Sequence, residues 1–435
     1  MTDAGAPLAL AHGQPLPNRI AKPAMEEFLA DEEGLPSETM VRLYQRWAAG
    51  GAGLLITGHV MVDPRAMADP RDVALVEGTP LEPFRRWAEA AKSGGGRVWM
   101  QINHPGRIVQ TGPCGTAWSA SDVPVDLGRW SRMFPRPIPM TPEQIAYTVD
   151  RFASTAGLAQ EAGFDGVEIH AAHGYLLSQF LSPRTNRRSD AWGGPLENRA
   201  RLLLDVVTAV RERVGDTFSV AVKINTADFQ RGGFAEDDAR GVVTMLAERD
   251  VDLIELSGGS VESLATLGYR ADGRTLAREA YFLEAAGQIL AEATVPIMLT
   301  GGIRRLTTLH RVIEGGADVA GVGTALAVDP DLPRRWLAGE EAEATPVQVR
   351  WRDKTIVAAA TLAIVHRRFV DLARGGEARR IPRPVAALMA DRLQLRRTVR
   401  RQRARRQLPK PRKFRRCQVR CMVSGESGVT CGSTS

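Results

Sequence analysis

One short segment of the sequence brings together three side chains that can hydrogen-bond to a substrate or move a proton. It runs Glu168-Ile-His170-Ala-Ala-His173-Gly-Tyr175. Imidazoles can donate hydrogen bonds to a carbonyl or nitro oxygen and draw negative charge towards it, and a tyrosine hydroxyl can deliver a proton as a general acid. Hydride addition to an activated double bond requires both actions, so catalysis is the favoured interpretation of this motif.

Two other interpretations of the same motif stay open. His170-x-x-His173 with Glu168 nearby has the spacing of metal ligands, and the cluster could also be purely structural. Neither alternative explains Tyr175 or the glycine-rich turns further along the chain, and we therefore expect no metal ion here.

A pair of glycine-rich turns late in the chain predicts a phosphate site. Gly301 and Gly302 lie in TGGIR (300–304), and Gly323 precedes Thr324 in GVGT (321–324). Glycines let backbone N–H groups approach an anion closely, and α/β barrels often bind phosphate at the loops after their last two strands. Either turn alone is a weak signal, but their paired placement favours phosphate binding.

Lys223 is an isolated cation in the otherwise apolar run SVAVKIN (219–225). An unpaired buried charge is costly, so the sequence predicts an anionic partner for this lysine. That partner is either a bound anionic group or the carboxylate of Glu255 or Asp228.

The elements that position these residues alternate between short β-branched runs and longer amphipathic stretches, which predicts parallel β-strands joined by helices. Helices are predicted at 142–161, 198–214 and 237–248. Eight strands, with polar residues at the C-terminal ends of several, predict a single (β/α)₈ TIM barrel with its site at that end. The strands are predicted at 19–24, 53–61, 97–103, 166–170, 218–225, 253–257, 296–300 and 319–323.

The predicted organisation is a barrel at 1–340, C-terminal helices packing on it at 341–391, and an Arg-rich, disordered tail at 392–435. Residues 345–374 are predicted to be helical. Residues 104–140 form an unusually long connection containing Trp118, Trp130 and Phe134. Loops of that length in compact domains tend to be functional, and the aromatic residues favour a lid or pocket wall.

The net charge of +7 on the 435 residues arises in the tail. Fourteen of the 57 basic residues and no acidic one lie between Arg392 and Arg420, so the rest of the chain, with 43 basic and 50 acidic residues, carries −7. Nucleic-acid binding by the whole protein is therefore not indicated, although the tail could contact nucleic acid or acidic partners. It could equally be a solvated extension without function, or the product of a shifted reading frame.

The sequence gives limited information about the cellular compartment and the oligomeric state. No run of about 18 apolar residues predicts a membrane span, and the N-terminal residues lack the pattern of a secretory signal. Four cysteines, at 114, 417, 421 and 431, form no disulfide framework. We therefore expect a cytoplasmic protein, with an oligomeric state that the sequence leaves open.

Taken together, ordered segments from Leu16 to Gly339 resemble the old yellow enzyme family, in the NADH:flavin oxidoreductase branch that includes the barrel part of 2,4-dienoyl-CoA reductase. The segments are LPNRIAKPAM (16–25), GAGLLITG (51–58), QINHPGR (101–107), AGFDGVEIHAAHGYLLSQFLSP (162–183), NRRSDAWGGPLENRARLL (186–203), VKINTADFQRGGF (222–234), ELSGG (255–259), TGGIR (300–304) and GVGTALAVDP (321–330).

The resemblance implies FMN at the mouth of the barrel and a ping-pong reaction with NAD(P)H as reductant. It implies that Tyr175 protonates the acceptor and that His170 and His173 bind the acceptor's oxygen. The acceptor would be an activated alkene, nitro compound or quinone, and the choice between NADH and NADPH is left open. The residues implied to contact FMN are Ala24, Met25 and Gly58 near the ring, Gln101 at its pyrimidine edge, Lys223 at N1, and Gly301, Gly302, Gly323 and Thr324 at the phosphate.

The chain departs from the family pattern at three places. Thr324 stands where an arginine usually binds the FMN phosphate, which predicts weaker FMN retention unless Arg304 compensates. Pro23 and Glu26 lie in a segment that more often reads AAMT or SPMC, and Glu26 brings a carboxylate close to the ring. No cysteine lies between Cys114 and Cys417, so we expect no iron–sulfur cluster.

Two other functions remain as alternatives. One is a flavin-free barrel lyase or isomerase acting on a phosphorylated ligand. The other is a nucleic-acid-binding protein that acts through its basic tail.

Overall fold

The computed structural model describes residues 3–110, 114–263, 279–280, 282–376 and 381–407. Eight parallel strands close into a barrel, because the last strand pairs with the first and β2 also pairs with β5. All eight predicted strands are confirmed. In order around the barrel they are β1 (Ile20–Lys22), β2 (Leu54–Ile56), β5 (Arg97–Asn103), β8 (Gly166–Ala171), β9 (Ser219–Asn225), β10 (Leu253–Ser257), β11 (Ile297–Thr300) and β12 (Val319–Gly321).

Short additional strands lie outside the closed barrel. The predicted strand at 53–61 is interrupted, so its second part forms a separate strand. These short strands are β3 (Val60–Met61) and β4 (Val73–Ala74), which extend the main sheet, and β6 (Trp118–Ser119) and β7 (Ile138–Pro139), which pair with each other.

Helices follow the barrel strands as the alternating pattern predicted. They are α1 (Glu38–Ala48), α2 (Glu82–Lys92), α3 (Pro142–Glu161), α4 (Leu176–Leu181), α5 (Leu196–Val214), α6 (Glu236–Ala247), α7 (Leu283–Glu292), α8 (Leu306–Glu314), α9 (Ala325–Val328), α10 (Leu332–Leu337), α11 (Lys354–Ala373) and α12 (Pro384–Gln407). In the described ranges, no helix has the length and apolar character needed to cross a bilayer.

The barrel interior is apolar at one end and polar at the other. Since side chains alternate across a strand, every second residue points inward. Near the N-terminal ends of the strands the inward residues, among them Leu54, Trp99 and Leu253, form one buried apolar cluster. Near the C-terminal ends they are polar and include Gln101, Lys223 and Glu255, all of them buried. This change of character places the site at the C-terminal mouth.

The long connection after β5 packs over that mouth. It contains a 3₁₀ helix at Gly128–Met133, and Ile108 and Val125 pack with Tyr175 in a small apolar cluster. These contacts make the connection part of the wall around Tyr175, although residues 111–113 lie outside the described ranges.

The C-terminal region differs from the sequence prediction in two respects. Helix α11 begins at Lys354, not at 345, because the Asp353 side chain caps it by accepting from the N–H groups of Thr355 and Ile356. Helix α12 continues to Gln407, so residues 392–407 are helical where disorder was predicted. Arg-rich sequence and helix are compatible because Arg has a high helix propensity. Residues 408–435 lie outside the described ranges.

Candidate active site

A layer of polar side chains points inward at the mouth of the barrel. Gln101 on β5 donates from Nε2 to Glu168 Oε2 on β8 at 2.6 Å. Lys223 on β9 lies 2.6 Å from Glu255 Oε1 on β10. Glu255 is thus one of the two carboxylate partners that the sequence left open for Lys223, whereas Asp228 accepts from other groups.

The charged side chains of this layer neutralise one another. Burial and the neighbouring Glu255 carboxylate raise the pKa of Glu168 well above its usual value. Burial also acts to raise the pKa of Glu255, but the Lys223 ammonium outweighs it and holds that pKa below its usual value. A neutral Glu168 therefore lies beside an ionised Glu255 that is paired with Lys223.

The two histidines and the tyrosine of the sequence motif come together just above this layer. The rings of His170 and His173 lie 5.1 Å apart between centroids, and the rings of His170 and Tyr175 lie 4.9 Å apart. His173 adopts a left-handed φ of 61°, which is unusual for a residue with a side chain. Its N–H donates to Asn225 Oδ1 at 3.2 Å, and its Nε2 lies 2.9 Å from Ser257 Oγ.

Both imidazoles are neutral hydrogen-bonding groups. Burial lowers the pKa of each well below 6.5, and the charges of Lys223 and His59 add to the effect. The N–H of Ala172 donates to His170 Nδ1 at 3.4 Å. Because a neutral imidazole carries only one hydrogen, the hydrogen of His170 resides on Nε2, which can donate to an acceptor's oxygen.

Tyr175 is hydrogen-bonded to the carboxylate of Glu26, a residue that departs from the expected sequence pattern. Its hydroxyl donates to Glu26 Oε1, and burial together with Glu26 raises the pKa of Tyr175 well above 10.0. Glu26 also approaches His59, with 3.7 Å between Oε1 and Nδ1. His59 Nε2 in turn lies 3.4 Å from Asp72 Oδ1.

A second buried network explains the interruption after β2. The N–H of Gly58 donates to Glu27 Oε1 and to the Tyr44 hydroxyl, each at 3.0 Å. A Cβ at Gly58 would collide with the Glu27 carboxylate and the Met25 carbonyl, so this close approach requires glycine. Lys22 donates to the carbonyl of Ile56 at 2.6 Å, and burial lowers its pKa to about 8.

Ala24 and Met25 follow β1 and are only partly buried, in contrast to the fully buried strand before them. Their partial exposure is consistent with the predicted position against a bound ring. Gln101 lies deeper, and its backbone N–H donates to Thr57 Oγ1 at 3.0 Å.

The predicted phosphate loops lie next to each other because β11 and β12 are neighbours. Gly302 has a φ of 70°, a conformation that favours glycine, and a Cβ at Gly323 would meet only Pro23 at 3.7 Å. Thr324 is exposed. Arg304 is already paired with two carboxylates, since its Nε lies 2.6 Å from Glu279 and its Nη1 lies 2.8 Å from Glu343.

The mouth offers polar atoms that suit a flavin. Gln101 and Lys223 are buried at inward positions, where their N–H groups can donate to the polar edge of a ring. Together with the partly exposed Ala24 and Met25 and the open glycine turns, they match a group with a hydrogen-bonding ring and a phosphate.

The metal interpretation gains no support. Within the described ranges no three His, Cys, Asp or Glu side chains are arranged to hold an ion. The structure also adds His59 and Asp72, which sequence reasoning missed. The place of His59 in the sequence could have suggested it, because His59 directly follows Gly58 in the segment that ends the second predicted strand.

The comparisons with known proteins agree with this geometry. The model of the NADH:flavin oxidoreductase / NADH oxidase family matches residues 6–343. The chain is 35% identical over 362 residues to the "NADH-dependent flavin oxidoreductase iliE" of Hypocrea jecorina, covering 78% of this chain and 90% of that protein. It is 37% identical over 335 residues to "NADH-dependent flavin oxidoreductase nadA" of Aspergillus parasiticus, covering 72% and 75%.

Solved structures share the fold. An old yellow enzyme homologue from Zymomonas mobilis superposes with a TM-score of 0.68 at 23% identity, covering 80% of this chain and 95% of that one. A 2-naphthoyl-CoA reductase superposes with a TM-score of 0.72 at 24% identity, covering 78% and 53%.

Proposed function

Because the chain belongs to the NADH:flavin oxidoreductase / NADH oxidase family and is an NAD(P)H-dependent flavin oxidoreductase, we propose that it passes hydride from NAD(P)H through FMN to an activated alkene, nitro compound or quinone. The observation that carries this proposal is the cluster of His170, His173 and Tyr175 at the mouth of the barrel, with ring centroids 4.9–5.1 Å apart. FMN, when bound, supplies the two-electron chemistry.

The two histidines bind and polarise the acceptor. A neutral imidazole that donates to a carbonyl or nitro oxygen stabilises the negative charge that develops there as hydride adds. Their depressed pKa values keep both rings neutral across the physiological range, so the hydrogen-bond donors are available without a change of protonation. The φ of 61° at His173 is held by Asn225 and Ser257, which fixes the second donor relative to the first.

Tyr175 completes the addition by giving a proton to the carbon next to the polarised group. It directly precedes α4 and lies four residues after the end of the strand that carries His170, so donor and polarising group belong to one short segment. Ile108 and Val125 pack around its ring and limit access of water.

FMN would be held by backbone and side-chain groups of several strand ends. Ala24, Met25 and Gly58 would lie against the ring, and Gln101 and Lys223 would bond its polar edge. Gly301, Gly302, Gly323 and Thr324 would contact the phosphate. The proposal includes FMN as the sole redox group; Cys417, Cys421 and Cys431 lie outside the described residues.

The test is the visible absorption spectrum of the purified protein before and after NADH is added without oxygen. Bands near ~450 nm that bleach with NADH and return with cyclohexenone would support the proposal. A colourless, folded protein that takes up no added FMN would refute it and favour a flavin-free barrel enzyme. Tyr175→Phe should bleach normally with NADH but reoxidise more slowly with cyclohexenone, by about 10²-fold or more.

A further inference from the structure

Four polar side chains from different parts of the chain form a line that ends at Tyr175. The Tyr175 hydroxyl donates to Glu26 Oε1, Glu26 Oε1 lies 3.7 Å from His59 Nδ1, and His59 Nε2 lies 3.4 Å from Asp72 Oδ1. We propose that Glu26 relays protons from water to Tyr175, and that His59 and Asp72 hold its carboxylate in place. The inference rests on the proposed role of Tyr175 as proton donor.

The line is built from segments that only the fold brings together. Glu26 follows β1, His59 separates β2 from β3, and Asp72 directly precedes β4. The side chains of His59 and Asp72 are 3% and 2% exposed, whereas that of Glu26 is 30% exposed. Glu26 is therefore the most exposed of the three and the point at which protons enter from water, next to the tyrosine.

The protonation state of Glu26 determines which atom accepts the hydrogen bond of the Tyr175 hydroxyl. A tyrosine hydroxyl has one hydrogen to donate. When Glu26 is ionised, that hydrogen is committed to the carboxylate and is not aimed at an acceptor. When Glu26 is protonated, it donates to the tyrosine oxygen instead, and the hydrogen of Tyr175 is free to reach the acceptor.

His59 is the charged group that holds the Glu26 carboxylate in place. Burial acts to lower the pKa of His59, but the carboxylates of Glu26 and Asp72 outweigh it and raise that pKa to about 9. His59 is thus an imidazolium at neutral pH. The pKa of Asp72, raised by burial, is about 6, which leaves it ionised beside the imidazolium.

Other titratable groups also face this line. Glu27 adds to the negative potential at His59, and Asp69 acts on both Asp72 and Tyr175. His170 and His173, which lie on the other side, are neutral.

The Asn103 carboxamide is suited to a charged His59. Its Nδ2 lies 3.1 Å from His59 Nδ1, while its Oδ1 is buried and unpartnered. Turned over, the same amide accepts from the Nδ1–H of the imidazolium and satisfies that oxygen. Asn103 can thus follow the protonation state of His59 by exchanging its donor for its acceptor.

Only protons move along the relay, and each one is accounted for. As a C–H bond forms on the acceptor, the Tyr175 O–H bond breaks, and the tyrosine oxygen takes the proton of Glu26. Glu26 then takes a proton from bulk water at its exposed edge, and His59 keeps its own proton throughout. The hydride that completes the product originates from NAD(P)H.

The test uses the full-length holoenzyme and compares Glu26→Gln with Glu89→Gln, a matched change at an exposed position of α2. The first readout needs no turnover: ultraviolet difference spectra isolate the titration of Tyr175 by subtracting the matching Tyr175→Phe variant. With Glu26 intact, we expect Tyr175 to stay un-ionised at the pH where an ordinary tyrosine titrates, because its pKa is raised. In Glu26→Gln we expect ionisation at a lower pH, by about one unit or more.

The second readout separates the two half-reactions by stopped flow. Glu26→Gln should leave bleaching by NADH unchanged and slow reoxidation by cyclohexenone by about 10-fold to 100-fold. In a Tyr175→Phe background the same substitution should change nothing further, because Glu26 acts through the tyrosine. Glu26→Asp, which keeps the carboxylate, should recover part of the loss, and Glu89→Gln should behave as wild type.

Two results would overturn the relay. One is a Tyr175 titration that does not move in a folded Glu26→Gln protein. The other is a Glu26→Gln effect that persists at full size when Tyr175 is already phenylalanine, since Glu26 would then act independently. An enzyme that bleaches with NADH but reduces no acceptor would instead refute the proposed function, and the tyrosine titration would still decide on the relay.

Discussion

Lys223 and Glu255 form a buried ion pair across adjacent barrel strands, with 2.6 Å between Nζ and Oε1. The two side chains are 3% and 0% exposed. Within the barrel, Glu255 supplies the anionic partner that the sequence required for Lys223. A bound ring that accepts from Lys223 would therefore share the ammonium with Glu255, and the lysine would be held in place before any ligand arrives.

We expect Lys223→Met to destabilise the protein by about 3–5 kcal/mol at pH 7, because it leaves the Glu255 carboxylate buried without its cation. The double variant Lys223→Met, Glu255→Leu should recover most of that loss. Urea unfolding measures each free energy. Arg85→Met, which removes one partner of an exposed pair with Glu161 at 3.7 Å, is the control and should cost little.

The loss in Lys223→Met should shrink as the pH falls. In the wild type the pKa of Glu255 is held below its usual value, so the pair's contribution is present at neutral pH and is lost as the pH falls through that depressed pKa. Without Lys223, burial raises the pKa of Glu255, and protonation at mildly acidic pH relieves the unpaired charge. A stability difference that stays constant between pH 7 and pH 5 would contradict this assignment of charges.

The opposite pH dependence is expected for His59. Its pKa rises from 6.5 to about 9 on folding, so its contribution is fully present below 6.5 and is lost as the pH rises through about 9. Relative to His59→Gln, the wild type should lose up to about 3 kcal/mol of stability between pH 6 and pH 10. Urea unfolding of both proteins at several pH values measures this difference, and parallel curves would show that His59 is not charged in the folded state.

Retention of FMN should depend on the charge near the last two strand ends. Thr324 provides no cation, and Arg304 is paired with Glu279 and Glu343. Thr324→Arg should therefore bind FMN more tightly by about 1–3 kcal/mol, the range for a charge-assisted hydrogen bond. Fluorescence titration of the apoprotein measures this affinity.

Glu279→Gln tests whether Arg304 can reach the phosphate when it is released from its carboxylate. We expect tighter FMN binding in this variant and a stronger dependence of the affinity on salt. Glu292→Gln, at an exposed position on α7, should have no effect. An unchanged affinity in Glu279→Gln would mean that Arg304 does not contact the phosphate.

Much of the barrel could be predicted because local patterns determine it. The helix at Pro142–Glu161 is preceded by Thr141 and contains Gln144, and these two residues form the capping box at which it begins. The motif at His170–Tyr175 could be recognised because its members are close in sequence and lie at the C-terminal end of one strand.

The contacts between distant segments could not be predicted from the sequence. Glu26 and Tyr175 are 149 residues apart, and no local sequence pattern indicates that they are in contact. The same holds for His59 and Asp72, whose pairing depends on the interruption after β2. That interruption depends in turn on Gly58 donating to Glu27 and Tyr44, which only the packed structure shows.

The basic end of the chain should be dispensable for turnover. The stretch of α12 beyond Asp391 is tied to the barrel by the exposed pair of Arg401 and Glu32, at 2.6 Å, and exposed pairs contribute about 0–1 kcal/mol. Asp391 itself binds the buried Arg71 at 2.7 Å. Truncation after Asp391 should therefore leave flavin content and cyclohexenone reduction unchanged.

A truncation that also removes Asp391 should behave differently. Among the described residues, it leaves Asp69 as the carboxylate paired with the Arg71 guanidinium, next to Asp72 behind His59. We expect a measurable loss of stability in this shorter protein, and Asp391→Asn in the full chain should reproduce it. If truncation after Asp391 already abolishes flavin binding or turnover, the Arg-rich segment has a role in the enzyme itself.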